Sequence, residues 1–373
     1  VALLGYLVIC YLSLGRGGDA RDFVQIGTRY VAASQASPVI RLDPSYRGYP
    51  ENGIGYDGQF AYYIALDPVN ARHYVGRVSY RYMRILYPAL AWALSLGNPG
   101  WVPVTLLLVN LLAVAAGTWA VAAWCKRQEL SPWLALVYAF YVGQVLAFTR
   151  DLTEVLAYAL VALGVYLYKR NRVLSATLFG LAVLARETTV VFATLYALFL
   201  LVGSGASTGR RLRDAALFGT IAIGPAVVWQ LFLVSWIGNL GWQQATGPVW
   251  LPFSGLLALY PLSQPVLEVV QAVIVPGVVC LVAGLWAMWR MEAWRRVECW
   301  ALVLNALLFV LLLPSASLTD LLGSARVATG VVLAAIYALP YAGGRAWFYF
   351  CAALWLVPTV TYLLDPLASL FIR

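Results

Sequence analysis

The chain has 373 residues, 62% hydrophobic and only 11% charged, with a net charge of +9 at pH 7. Soluble domains carry about 25% charged residues, so the composition excludes an ordinary soluble enzyme. It points instead to an all-α, polytopic integral membrane protein, because the apolar runs are too long and continuous for barrel strands.

The chain opens on Val1, which points to a few N-terminal residues being missing or removed. The first apolar run, about 1–15, lacks the small-residue cleavage site of a signal peptide. A long polar segment, 16–83, follows. Residues 84–97 (RILYPALAWALSLG) are apolar but short and contain Pro88, which predicts an interfacial or re-entrant helix. Further runs lie near 101–124, 132–148, 152–168, 173–185, 188–203, 215–236, 266–289, 297–313, 327–342 and 346–363. This gives about eleven crossings in a single membrane domain, 1–373, with no internal repeat.

Basic clusters fix the orientation. Lys126 and Arg127, Lys169 with Arg170 and Arg172, Arg210 with Arg211 and Arg213, Arg290 with Arg295 and Arg296, and Arg345 mark cytoplasmic loops. The segments 149–154, 237–265 and 314–326 lie on the other side. The alternation closes only if 173–203 forms two shortened helices that meet at Arg186 and Glu187 near the outer face. The long segment 16–83 then becomes a large extracytoplasmic loop with short interfacial helices.

That loop carries GYDGQFAYYIALDP, residues 55–68. Phe60, Tyr63 and Ile64 share a helical face that ends at Asp67-Pro68. The plain role for Asp57 is a helix N-cap that accepts from free amides. Residues 53–58 also fit GxGxxG, but no strand precedes them, so no dinucleotide site follows. Other ionisable groups share this side: Asp19, Asp22, Arg81, Arg84, Asp151, Glu154, Arg186, Glu187, Asp320 and Arg326. Charges in membrane helices cost about 2.5–3.5 kcal/mol on insertion scales and are commonly paired or functional. The plain alternatives are an interhelical ion pair for Arg186 and Glu187, a snorkelling helix-end arginine for Arg326, and a solvated loop for Asp19 and Asp22.

A carboxylate can take the proton of a hydroxyl, and arginines can hold a departing phosphate. Aromatic side chains such as Tyr56 and Phe60 can stack on sugars. The set therefore suits sugar transfer from a lipid phosphate to a hydroxyl acceptor. The single histidine, His73, excludes a multi-histidine metal site, and five scattered cysteines without a CxxC pair imply neither a zinc knuckle nor a disulfide framework. No cofactor and no metal are expected; a divalent ion would need carboxylates alone. Arginine-borne charge fits membrane topology and anionic membrane lipids rather than nucleic acid.

YDGQFAYYIALDP (56–68), RYMRILYPAL (81–90), DLTEVLAYAL (151–160) and LAVLARETTVV (181–191) together resemble multi-spanning, lipid-dependent glycosyltransferases of the GT-C fold. The nearest subgroup is the PIG-V-like and related bacterial mannosyltransferase-type enzymes. The match covers much of the N-terminal half, with Tyr56 where that group often has Trp, and Ala61 interrupting its aromatic spacing. The resemblance implies a polyprenyl-phosphate sugar donor, a lipid, glycan or protein acceptor, and a site on the outer face of a bacterial inner or plasma membrane. It implies Asp57 as the base, with Asp19 or Asp22 as the rival position. Tyr56, Gln59, Arg81, Arg84, Asp151, Glu154, Arg186, Glu187 and Arg326 would then bind substrate. Within them, Arg186 and Arg326 would hold the departing phosphate in an inverting transfer. Two other classes fit the composition: a lipid or small-molecule transporter or flippase, and a non-catalytic, degenerate GT-C subunit with a membrane-complex partner.

Overall fold

A computed structural model describes residues 1–14, 18–28, 53–202, 207–341, 349–350 and 352–361. The middle of the predicted outer loop (29–52), Arg345 and the ends of the last predicted run lie outside the described residues. Among the described residues the fold is helical; the one strand-like feature is an isolated bridge between Ile26 and Gly55.

The elements used below are α1 (Ala2–Ser13), α2 (Gly58–Leu66), α3 (Val78–Tyr82), α4 (Leu86–Leu94), α5 (Val102–Arg127), α6 (Val142–Phe148), α7 (Glu154–Leu167), α8 (Arg172–Ala185), α9 (Val190–Val202), α10 (Thr208–Ile237), α11 (Val275–Arg290), α12 (Val297–Ala306) and α13 (Leu321–Ala338). Among the described residues, four helical stretches are long and apolar enough to cross a membrane: Pro99–Arg127, Thr208–Ile237, Gln264–Arg290 and Leu321–Tyr341. Six further apolar helices among the described residues run 10–17 residues. A span needs about 20 residues, or fewer where the bilayer is locally thinned.

Helix α10 shows the membrane character most plainly. It has 30 residues, and its most apolar window has a mean hydropathy of 1.9 while only 17% of that window is buried. Leu217, Val227, Val228, Leu231 and Phe232 stand exposed along it. In water so large an apolar face would be an association surface; against lipid tails it is at rest. Ser207 caps its start by accepting from the Arg210 amide, and Gly238 ends it in the left-handed conformation.

The remaining helices build the core. α7 packs between α5 and α8, α8 and α9 pack on α10, and α13 packs on α12 and α6. One buried cluster joins Tyr138, Phe179, Tyr196 and Tyr337; a second joins Tyr6, Phe23, Tyr63 and Phe148.

Two sequence expectations need adjustment. The predicted run 132–148 is not one helix: a 3-10 turn at Pro132–Leu134 leads into Ala135–Ala139, and the chain becomes extended at Tyr141 before α6 begins. A close approach follows the break. A Cβ on Gly143 would lie 2.2 Å from the Ala325 carbonyl oxygen, so α6 is seated directly on the backbone of α13. Second, α13 begins at Leu321, six residues before the predicted 327, because Asp320 accepts from the Gly323 amide and caps it there. Arg326 therefore lies within a helix rather than ahead of one. The 84–97 segment, expected to be a short helix, holds α4, nine residues long. That is about 13 Å, far short of a bilayer core. The predicted break between α8 and α9 does occur, at Arg186 in extended conformation followed by a 3-10 turn, Glu187–Thr189.

Candidate active site

Asp57 stands at the N-cap of α2, yet its side chain makes no capping bond. The carboxylate turns instead to two guanidiniums. Arg81 Nη1 lies 2.9 Å from Oδ1, and Arg326 Nη1 lies 2.9 Å from Oδ2. The plain capping role is thus replaced by charge pairing, and the snorkelling role for Arg326 falls with it. The seat of Asp57 depends on its neighbour. A Cβ on Gly58 would lie 2.1 Å from the Arg150 carbonyl oxygen, so only glycine lets α2 rest on the 149–152 turn. Burial works to raise the Asp57 pKa, but Arg326, Arg81 and Arg84 overcome it and hold the carboxyl well below the usual carboxylate range.

The other charges interlock around this pair. Arg186 Nη1 meets Glu154 Oε1 at 2.7 Å, with both side chains buried. Arg84 grips Glu187 with two bonds, Nε to Oε2 at 2.8 Å and Nη2 to Oε1 at 2.6 Å, and also contacts the Tyr80 hydroxyl. Arg326 Nε lies 3.6 Å from Glu154 Oε1 and ties the sets together. The neighbours Arg186 and Glu187 are therefore not each other's partners. Aromatic faces back the cations: Arg81 over Phe60 at 4.0 Å, Arg84 over Tyr80 at 4.2 Å and Arg326 over Tyr56 at 5.3 Å.

Arg81, Arg84, Arg186 and Arg326 supply four positive charges against three carboxylates in ion pairs, Asp57, Glu154 and Glu187, an excess of one. The buried Nε atoms of Arg81, Arg186 and Arg326 make no hydrogen bond. Buried donors without acceptors are rare in folded proteins; here all three belong to arginines that line one space, and an anion there could take such bonds.

Asp57 lines two adjoining spaces. One, about 30 Å³, is walled by Arg81, Arg84, Asp151, Glu154, Arg186 and Arg326. The other, about 610 Å³, has Tyr56, Arg186, Glu187 and Arg326 on its polar side and Val190, Val191, Leu308, Phe309 and Leu312 on its apolar side. The chain at Leu307–Leu311 is a π-helical turn, a form that recurs at functional sites.

Several expected residues lie elsewhere. Gln59 is buried with its amide committed to backbone: Nε2 donates to the Ile54 carbonyl at 2.8 Å, and Oε1 accepts from the Gly27 amide at 3.1 Å. It clips the loop below α2 and lines neither space. Asp19 pairs locally with Arg21 at 2.6 Å, and neither Asp19 nor Asp22 lines either space. Asp151 does line the small space, but it is fully buried there and bonded to Tyr87 rather than to an arginine. Sequence reasoning missed Arg77 and Thr188, which line the larger space, and the apolar wall at 308–312. The RVSYRYMR spacing gives Arg77 the same four-residue repeat as Arg81, a signal that was available. Among the described residues no three His, Cys, Asp or Glu gather as metal ligands. No family model, no curated protein and no solved structure matches the chain.

Proposed function

We propose that this chain is an integral membrane glycosyltransferase, crossing the bilayer about eleven times, that moves a sugar from a polyprenyl-phosphate donor to a hydroxyl acceptor on the extracytoplasmic side. The observation that carries the reading is the position of Asp57: a carboxylate ringed by arginines, on the wall of a cavity that is cationic on one side and aliphatic on the other. A lipid phosphate has this same division between charged head and apolar tail.

The chemistry follows from the contacts. The donor phosphate takes guanidinium hydrogen bonds, first from the Nε atoms of Arg186 and Arg326, which make no hydrogen bond within the protein. Each bond it draws from Arg326 loosens the hold on Asp57. The acceptor oxygen attacks the anomeric carbon as the bond from that carbon to the phosphate oxygen breaks. The electron pair leaves on the phosphate, where the arginines stabilise it, and the hydroxyl proton passes to Asp57. One displacement inverts the anomeric centre.

A second reading draws on the same pairs. Every ionised carboxylate of the cluster already has an arginine, which is also how a purely structural network looks. A non-catalytic subunit would need nothing more. The experiment that separates the two incubates purified protein with radiolabelled polyprenyl-phosphate sugars and membrane lipid and glycan extracts. Label in a new product supports transfer. No product across donors carrying hexoses and pentoses, from a protein that binds them, favours the structural reading.

A further inference from the structure

Asp151 is the carboxyl of this cluster that no arginine holds. Its side chain is fully buried, and it enters none of the ion pairs among the described residues. Its backbone is left-handed, with φ 47°. It closes α6: the Leu152 amide bonds the Ala147 carbonyl at 2.9 Å, and the Asp151 amide bonds the Phe148 carbonyl at 3.2 Å. Glycine or asparagine usually takes this place, so the turn alone does not call for a carboxyl.

The hydrogens around Tyr87 can be counted. Asn110 Nδ2 donates to the Tyr87 oxygen at 2.8 Å. The phenol has one hydrogen of its own, with the Leu106 carbonyl at 3.0 Å and Asp151 Oδ1 at 3.2 Å. If that hydrogen goes to the nearer carbonyl, the contact with Oδ1 is a bond only when Asp151 brings the proton. Asp151 Oδ2 has no hydrogen-bond partner and no cation against it, so nothing compensates a negative charge on that oxygen. An unpaired carboxylate in such a place neutralises instead of staying charged. The groups that face it are the Cys10 thiol from α1, Tyr87 from α4, the Asn110 amide from α5 and, across the small space, Asp57, Glu154 and the four guanidiniums.

We infer that Asp151 is a positioning residue kept as a neutral carboxylic acid, donating from Oδ1 to Tyr87 and so pinning the 149–152 turn to α4 and α5. That turn carries Gly58 and with it the Asp57 carboxylate. A neutral Asp151 also leaves the single excess positive charge of the cluster for a substrate anion, where an ionised one would cancel it. The consequence for transfer rests on the reading of Asp57 as the base; the protonation state does not.

Infrared difference spectroscopy on the full chain in nanodiscs at pH 7 tests this. The wild-type minus Asp151→Asn spectrum is expected to show a protonated-carboxyl C=O band that moves down in D2O. Tyr87→Phe is expected to shift that band, because the bond it reports is lost, and this variant serves alone if the asparagine variant does not fold. A pair of carboxylate stretches in place of the C=O band, or a band indifferent to Tyr87→Phe, overturns the inference. In the transfer assay Asp151→Asn, whose amide can supply a donor, should exceed Asp151→Ala; equal loss in both overturns the donor role. If no transfer is found at all, the infrared result still stands or falls by itself.

Discussion

At the scale of single residues, the identity of the Asp57 partners decides what the site can do. A carboxylate held by Arg81 and Arg326 is a strong anchor and, while so held, a weak base. Its pKa lies below the ordinary value of about 3.9. The sign follows: the stability it contributes is present above the unfolded pKa and is lost only as pH falls through the lower folded one. In the free protein kcat/KM should therefore show no acid limb from Asp57 down to about pH 5. Once donor phosphate competes for Arg326, the carboxyl is released upward, so kcat should lose activity at a higher pH than kcat/KM does. Rate profiles over pH 5–8 check this; an acid limb in kcat/KM alone would contradict it. The sequence made Asp57 and the arginines visible, because charges stand out in so apolar a chain. It did not reveal who pairs with whom. Arg84 and Glu187 are 103 positions apart, and Arg326 and Asp57 are 269 apart. Charge side can be read from loops, but partner choice is set by packing that no local pattern records.

At the scale of elements, glycine contacts hold the site's parts together. Gly58→Ala would gain helix propensity of up to about 1 kcal/mol in an exposed helix. Here it is expected to push the start of α2 off Arg150 and cut transfer severely. Gly143→Ala should act at a distance by lifting α6 from α13, and hence lower the thermal midpoint. Calorimetry and the transfer assay on both variants separate the effects: activity lost at near-normal stability for Gly58, stability lost first for Gly143. Helix positions were largely legible from apolar runs and basic loop ends, and the α8–α9 break followed from charge alternation alone. The split of 132–148 was not legible. Its sequence is apolar but for Gln144 and nothing local marks Tyr141, while the seat of Gly143 on α13 is a tertiary contact that no local pattern records.

At the scale of the whole molecule, the cluster ties α7, the α8–α9 break and α13 to the segment 57–84. Breaking a buried pair leaves a charge behind, at a cost of about 3–5 kcal/mol. Glu154→Gln strands Arg186, which is only 4% exposed, and should destabilise by that order. Glu154→Leu with Arg186→Met should recover most of the loss; chemical denaturation of the single and double variants measures it. Orientation is equally open to test. Cys10, Cys125, Cys280 and Cys299 are buried, so background labelling from them should be low. In intact cells Thr246→Cys is expected to react with an impermeant thiol reagent, while Arg210→Cys reacts only after permeabilisation; the reverse pattern would put the site on the cytoplasmic side.

The central claim is that Asp57 takes a proton during sugar transfer. The most direct test is the single-turnover rate of label transfer from polyprenyl-phosphate sugar by wild type and Asp57→Asn, with folding of both confirmed by thermal melting. The account predicts a loss of about 10²–10⁴ in rate, or about 3–5 kcal/mol of barrier lowering, with donor binding retained. A folded Asp57→Asn protein that transfers sugar at close to the wild-type rate would contradict it.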